Sequence, residues 1–217
     1  MENIRESYDL LDIKGVDRKV QHLFSEVLFE DEIGRLYVNY YDIKGEVVDR
    51  ELLSVTRLTA SSGGISGFST VAPHLVRVLF ISDSITNLIF HLKGYLRYYD
   101  IAHSAFIATG SRLDRSQFVE IIQQYHAVKQ YYSVYGNSLL GKIKDCKVQH
   151  WINGEDCLFR IEENFVYSEF RKQVFKMESK EFTLRDHLRQ VAVRQTLKTK
   201  KPKNKKIENF FFYYEGA

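Results

Sequence analysis

Between Val76 and Ile152, continuous apolar runs alternate with segments of helical periodicity, and few architectures accept that order. VRVLFI (76–81) has a single charge and no alternation, the pattern of a strand covered on both faces. SITNLIFHLKGYLRYY (84–99) then places Ile85, Leu88, Ile89, Leu92 and Leu96 on one helical face. SAFIATG (104–110) reads as a second buried strand, and Asp114 or Ser116 as the cap of a helix carrying Phe118, Ile121, Ile122 and Tyr125. VKQYYSVY (128–135) and SLLGKIKDCKVQHWI (138–152) repeat the pair, and CLFRIE (157–162) reads as a fourth strand. Strands separated by helices of this length predict an α/β fold with a parallel sheet and helices on both faces.

The flanks differ in period. DRKVQHLFSEVLF (17–29) has helical spacing. RLYVNYYDIKGEVVDRELL reads as a hairpin turning at Asp42–Gly45, followed by the Gly-rich loop SSGGISGFS (61–69). FVYSEFRKQVFKM (165–177) fits strand or helix, and Thr183 with Asp186 signals a helix start. FFFYY (210–214) reads as a buried closing strand. The expected organisation is an N-terminal helix and hairpin element over 1–70, a core over 71–165 and a basic C-terminal extension over 166–217 that packs on the core.

A hydrophobic fraction of 44% suffices for a core, and 14% aromatics with 27% charged residues exclude a disordered composition. The apolar stretch Val76–Leu92 is broken by Arg77, Asp83, Asn87 and His91, too polar to span a bilayer. The start of the chain has no basic-then-apolar signal pattern, so a cytoplasmic location and no membrane partner are expected. Cys146 and Cys157 form no metal-ligand motif and read as free thiols, and the seven His include no pair at ligand spacing. The net charge of +3 conceals an asymmetry. From Arg185 to Lys206 there are nine Lys or Arg (Arg185, Arg189, Arg194, Lys198, Lys200, Lys201, Lys203, Lys205, Lys206) against Asp186 as the single acid. That segment carries +8, and the remainder of the chain sums to −5.

In an open parallel sheet, ligands bind at the C-terminal strand ends. Those positions here are Ser82-Asp83-Ser84, Thr109-Gly110-Ser111 and Tyr135-Gly136-Asn137-Ser138. VLFISDSITNL, FIATGSRLDRSQ and YGNSLLG stand in the order of three motifs of the Toprim (topoisomerase-primase) domain, and the sequence resembles the version found in primase-like and mobilisation-associated proteins. Ile85 and Leu88 place Ser82 at the family's catalytic Glu. Ala108, Thr109, Gly110 and Gln117 match the second motif, and Asn137 and Gly141 the third. The GFS loop (67–69) and KPKNKKIENFF (201–211) resemble flanking segments of those relatives, with Lys206 at an Asp position.

The resemblance implies a Toprim-like parallel sheet with a small N-terminal helix and hairpin element and a C-terminal extension. It also implies a changed chemistry. The family's Glu serves as acid and base, and its two Asp hold Mg²⁺. Those positions here are Ser82, Gly136 and Ser138, with Asp83 one residue out of register. The expected reading is a catalytically inactive, nucleic-acid-associated accessory protein of a mobile-element, replication or mobilisation system, with no cofactor and no metal at the sheet mouth. DNA or RNA would be held by the nine basic residues from Arg185 to Lys206, with Lys198–Lys206 as a flexible tract. The alternative is a scaffold subunit whose partner is another protein or a second copy of the chain. An unconventional Toprim nuclease or primase is third.

Overall fold

The structure is a computed structural model describing residues 7–54, 58–204, 207–208 and 210–211. Two short helices open it, α1 (Asp9–Ile13) and α2 (Arg18–Leu23), the second capped by Asp17, whose carboxylate accepts from Lys19 N at 2.8 Å. Strands β1 (Phe29–Glu30), β2 (Leu36–Tyr41), β3 (Val47–Leu53) and β4 (Leu58–Thr59) form an antiparallel sheet in that order, with the anticipated hairpin at its centre. The helical period of 17–29 extends only through α2, because the chain turns at Phe24 to enter β1.

Then come β5 (Ser66–Ser69), β6 (Val78–Ser82), α3 (Ile85–Tyr95), β7 (Ser104–Ala108), α4 (Arg115–Gln124), β8 (Gln130–Ser133) and α5 (Leu139–Ile152). Strand β6 pairs in parallel with β7 on one side and β8 on the other, which brings Ser82, Gly110 and Gly136 to the same end of the sheet. Each helix starts on a side chain the sequence supplies. Ser84 Oγ accepts from Asn87 N at 3.1 Å, Asp114 Oδ1 from Gln117 N at 3.0 Å and Ser138 Oγ from Gly141 N at 3.1 Å. The Gly-rich loop enters the sheet as β5, antiparallel to β7. A Cβ on Gly67 would lie 2.5 Å from Phe106 O, so only glycine permits that approach.

Three expectations need correction. CLFRIE does not join the parallel sheet. It is β9 (Leu158–Glu162), first of an antiparallel meander with β10 (Phe165–Phe170) and β11 (Gln173–Glu178). Its residues are mostly exposed, which suits a sheet covered on one face, and a two-residue turn at Glu163–Asn164 makes the local pairing cheap in loop entropy. The segment 165–177 is therefore two strands. The fourth parallel strand comes from the basic segment instead: after α6 (Leu184–Gln190), β12 (Leu197–Thr199) pairs with β8, giving the order β12-β8-β6-β7-β5. Lys198 is thus a sheet residue, not part of a flexible tract. Finally, Phe210 and Phe211 are buried in helical backbone rather than in a strand, while 212–214 lie outside the described residues.

The sheet separates two apolar layers. On one side α3 and the N-terminal element pack over Val78, Phe80, Phe106, Ala108, Tyr132 and Val134. On the other, α4, α5, α6 and the meander pack over Leu79, Ile81, Ala105, Ile107 and Leu197. Register aligns Phe68, Phe106, Phe80, Tyr132 and Lys198 in one row across all five strands. Successive rings are stacked at 5.1–5.2 Å between centroids, and Lys198 Nζ lies 5.3 Å from the Tyr132 centroid. Among the described residues no helix is long and apolar enough to cross a membrane.

Candidate functional site

The C-terminal ends of β6, β7 and β8 open on a cleft of about 160 Å³ lined by Asp83, Ser84, Asn87, Ser111, Gly136 and Ser138, among others. Ser82, at the family's Glu position, is fully buried and donates to Val134 O at 2.9 Å across the sheet. Asp83 points into the cleft, where Lys144 Nζ from α5 meets its Oδ2 at 3.0 Å. Ser138 is spent on capping α5, and Gly141 lets the first turn of that helix sit directly against Gly136 O.

A carboxylate that the resemblance did not flag closes the mouth from the side. Glu51, on β3, is 1% exposed and reaches the N-terminus of α3. Its oxygens accept from Ser84 Oγ at 2.8 Å, Ile85 N at 3.0 Å, Thr86 N at 2.9 Å and Tyr40 OH at 2.6 Å. The positive end of the helix dipole and two otherwise unpaired N–H groups are thereby satisfied within the chain. Burial, then the adjacent Glu51 charge, pushes the Tyr40 phenol well above its usual range. The signal for Glu51 was present: it alternates with Leu53 on the inward face of β3, where an acid needs partners. Two residues earlier, Asp49 accepts from Ser62 Oγ and Ser62 N, both at 2.6 Å, and these bonds, with the hydroxyl's the largest, hold its carboxyl down at about 2. The loop so fixed receives Ser111 N on Ser61 O and Arg112 N on Ser62 O, at 2.8 and 2.9 Å. The N-terminal sheet therefore frames the mouth.

The opposite rim is built by the C-terminal segment. Asn137 Nδ2 donates to Pro202 O, Asn204 O and Ile207 O at 3.2, 3.2 and 2.9 Å, and Asn87 Oδ1 accepts from Phe210 N at 2.8 Å. Lys201 crosses beneath: its Nζ lies 2.7 Å from Asp145 Oδ2 and donates to Gly136 O at 2.8 Å. Asp145 is buried and also accepts from Ser133 Oγ at 2.6 Å. Burial raises its pKa, with Lys201 and Ser133 opposing. Among the described residues, three carboxylates at or beneath this mouth are held by the chain itself, Glu51 by four donors, Asp83 by Lys144 and Asp145 by Lys201, while exposed Glu208 also lines the cleft.

The basic residues do not form one tract. Arg185, Arg189 and Arg194 are exposed on or just after α6, whose Leu184, Leu188 and Val191 pack into the layer with α5. Lys198 and Lys200 lie on the other side of the sheet, both over the Tyr132 ring, with Lys200 Nζ also 5.8 Å from the Tyr99 centroid. Tyr98, next to Tyr99 in the chain, is 63% exposed, and the Arg97 guanidinium lies 4.9 Å from its ring centroid. Buried His91 sits 2.8 Å from Tyr99 OH; burial, then the Lys200 charge, holds its pKa down at about 3, so it adds no cation here at neutral pH. Lys201 is committed to Asp145, Lys203 is exposed, and Lys205 and Lys206 lie outside the described residues.

No family model matches the chain, and no curated protein matches it. Several solved structures are similar to it, two of them as follows. The first is the primase fragment of the bacteriophage T7 primase-helicase, at 10% identity and a TM-score of 0.38, over 63% of this chain and 57% of that one. The likeness is weak and concerns the fold. The second is a structure of the bacteriophage T7 lagging-strand DNA polymerase interacting with primase domains of two gp4 subunits bound to an RNA/DNA hybrid and dTTP. It matches at 10% identity and a TM-score of 0.37, over 63% of this chain and 70% of that one. The chain spans a little over half the length of the T7 primase fragment. Its five-stranded sheet is mixed, with β12, β8, β6 and β7 parallel and β5 antiparallel, and helices flank it.

Proposed function

We propose that this chain is a non-catalytic, nucleic-acid-associated module on a Toprim-like scaffold, an accessory factor of a replication or mobilisation system. The observation that carries the reading is the patch on the α3 side of the sheet, where Lys198 and Lys200 lie over Tyr132 and Tyr99 beside exposed Tyr98 and Arg97. Cations track phosphates without reading sequence, and an exposed ring accepts a base by stacking. The commitment of Asp83 to Lys144 and of Glu51 to the α3 terminus leaves Glu208 as the cleft's remaining described carboxylate, and a single carboxylate is a poor Mg²⁺ site.

The patch predicts which basic residues matter. In fluorescence anisotropy with labelled single-stranded DNA and RNA, Lys198→Gln/Lys200→Gln should weaken binding about 10-fold. Losing two phosphate contacts should also flatten the salt dependence by about 1.4 in log–log slope. Arg185→Gln/Arg189→Gln/Arg194→Gln, on the other face, should bind within about twofold of the parent. Tyr98→Ala should cost about 1 kcal/mol if a base stacks there.

A second reading has its own observation. The meander exposes Leu158 and Val174 in one cross-strand row beside a cleft of about 260 Å³, the kind of surface a protein partner covers. Binding to neither nucleic acid at low salt would leave protein interaction as the function.

A further inference from the structure

On the side of the sheet away from the tyrosine patch, three potential metal ligands converge in the core. His150 comes from α5, Cys157 from the residue before β9 and His187 from α6; they are 0%, 1% and 1% exposed. His150 Nε2 and His187 Nε2 are 2.9 Å apart, and Cys157 Sγ is 4.0 Å from His187 Nε2. All three ligand atoms lie within 4.8 Å of one another. Separations of 37 and 30 residues from His187 hide the cluster in the sequence, because ligand spacing is legible there only within short motifs.

Packing alone gives these side chains a poor arrangement. If the two rings share a hydrogen bond, one Nε2 donates and the other accepts. Both Nδ1 atoms then stay buried without a hydrogen-bond partner, one as an N–H and one as a lone pair. The rings are wedged among Phe159, Phe170 and Phe182, which offer no polar replacement. An ion between the Nε2 atoms would use both lone pairs and place the proton of each ring on Nδ1. That of His150 would then face Glu155 Oε2, 4.0 Å away, as ring N–H groups of metal ligands face carboxylates.

We infer that His150, Cys157 and His187 form a buried binding site for a thiophilic transition-metal ion of the Zn²⁺ class, which clamps the meander and α6 onto α5. Bonds of about 2.05 Å to nitrogen and about 2.3 Å to sulfur put tetrahedral ligands roughly 3.3 Å (N···N) and roughly 3.6 Å (N···S) apart. Changes of about half an ångström convert the two spacings to His187 into these, and the remaining pair, within 4.8 Å, closes by up to about 1.2 Å through opposed shifts of both side chains. Imidazole and thiolate together select zinc-like ions over Mg²⁺ or Ca²⁺. The Cys157 thiol gives its proton to solvent as the metal–sulfur bond forms, so one proton leaves per ion bound. Cys146 sits one helical turn before His150 on α5 and is the only other cysteine.

The 217-residue chain, stripped with a chelator and dialysed, should take up one equivalent of Zn²⁺ and unfold at a higher temperature with it than without. Co²⁺ in its place should give a thiolate-to-metal charge-transfer band in the near ultraviolet and visible bands of a four-coordinate ion. Cys157→Ser should lose the charge-transfer band and stoichiometric uptake, Cys146→Ser should retain uptake, and Glu155→Gln should bind about 10-fold more weakly. Should Cys157→Ser fail to fold, the Co²⁺ spectrum of the parent still decides. No charge-transfer band, no uptake at micromolar free Zn²⁺, or undiminished uptake by a folded Cys157→Ser variant would each overturn the site. None of these readouts involves nucleic acid, so the site stands or falls apart from the tyrosine patch.

Discussion

Replacing Glu51 with Ala is expected to lower the stability of this protein by roughly 4 kcal/mol, because the four donors it satisfies, the Ser84 hydroxyl among them, would lose their acceptor in a site that water does not reach. Tyr40 OH, Ile85 N and Thr86 N all point at the Glu51 carboxylate, and both Tyr40 and Ile85 are fully buried. Each unsatisfied buried donor costs about 1–3 kcal/mol, and the α3 terminus loses the charge that complements its dipole. For a chain of this size the melting temperature should fall by about 10 °C. Glu51→Gln should fall between parent and Glu51→Ala, since the amide keeps one acceptor but turns two N–H donors toward donors. Tyr40→Phe removes a single donor and should cost only about 1 kcal/mol. Thermal unfolding followed by circular dichroism measures all three. Hydrogen exchange adds location: the first turn of α3 and strands β2 and β3 should lose protection together. A loss under about 1 kcal/mol in Glu51→Ala would mean that α3 and the N-terminal sheet are held by apolar packing alone.

Lys201→Met should be comparably damaging, for an electrostatic reason. The Asp145 side chain is 2% exposed and that of Lys201 22%, so the variant leaves a buried carboxylate with only the Ser133 hydroxyl for company. Breaking such a pair from one side costs about 3–5 kcal/mol, whereas removing both charges is often near neutral. Lys201→Met/Asp145→Asn should therefore recover much of the loss, since Asn still accepts from Ser133. The pH dependence is specific. Burial raises the folded pKa of Asp145 above its ordinary 3.8, so its contribution to stability is fully present below that value and is lost as pH rises through the folded pKa. Without Lys201 the folded pKa moves higher still. Lys201→Met should then trail the parent least near pH 4 and most at neutral pH. Urea unfolding can be followed by the fluorescence of Trp151, the single tryptophan, buried on the same helix as Asp145. A pH-independent deficit would assign the loss to the Lys201 stem rather than to its charge.

Lys201 also illustrates how a charge count misleads. In the sequence it is one of nine like residues, and nothing local separates it from Lys198 or Lys203. Folding gives Lys201 to a buried acid, lays Lys198 and Lys200 on tyrosine rings and sends the three arginines to the other side of the sheet. A stretch that reads as a tail becomes an edge strand because Leu197, 0% exposed, completes the apolar layer beside β8.

What the sequence determined by itself was local and periodic. The apolar runs at 76–81 and 104–109 have too little polar surface for anything but a strand covered on both faces, and with the more mixed 128–135 they supply β6, β7 and β8. Asp114 and Thr183 announced helix starts because a capping side chain acts within three residues, and the structure adds Ser84 and Ser138 in the same role. Strand ends then follow from alternation, which is why Ser82, Gly110 and Gly136 meet. Tertiary structure alone decided the pairings between distant segments. CLFRIE and LKT are both short and mixed, and choosing which joins the parallel sheet depends on the competition for the β8 edge. Glu51 reaches α3 across 34 residues, Lys201 reaches Gly136 across 65, and His150 meets His187 across 37. Contacts at such range leave no period or spacing in the chain. They arise only once the sheet has brought its two flanks together and burial has made an unpaired charge or ring nitrogen costly.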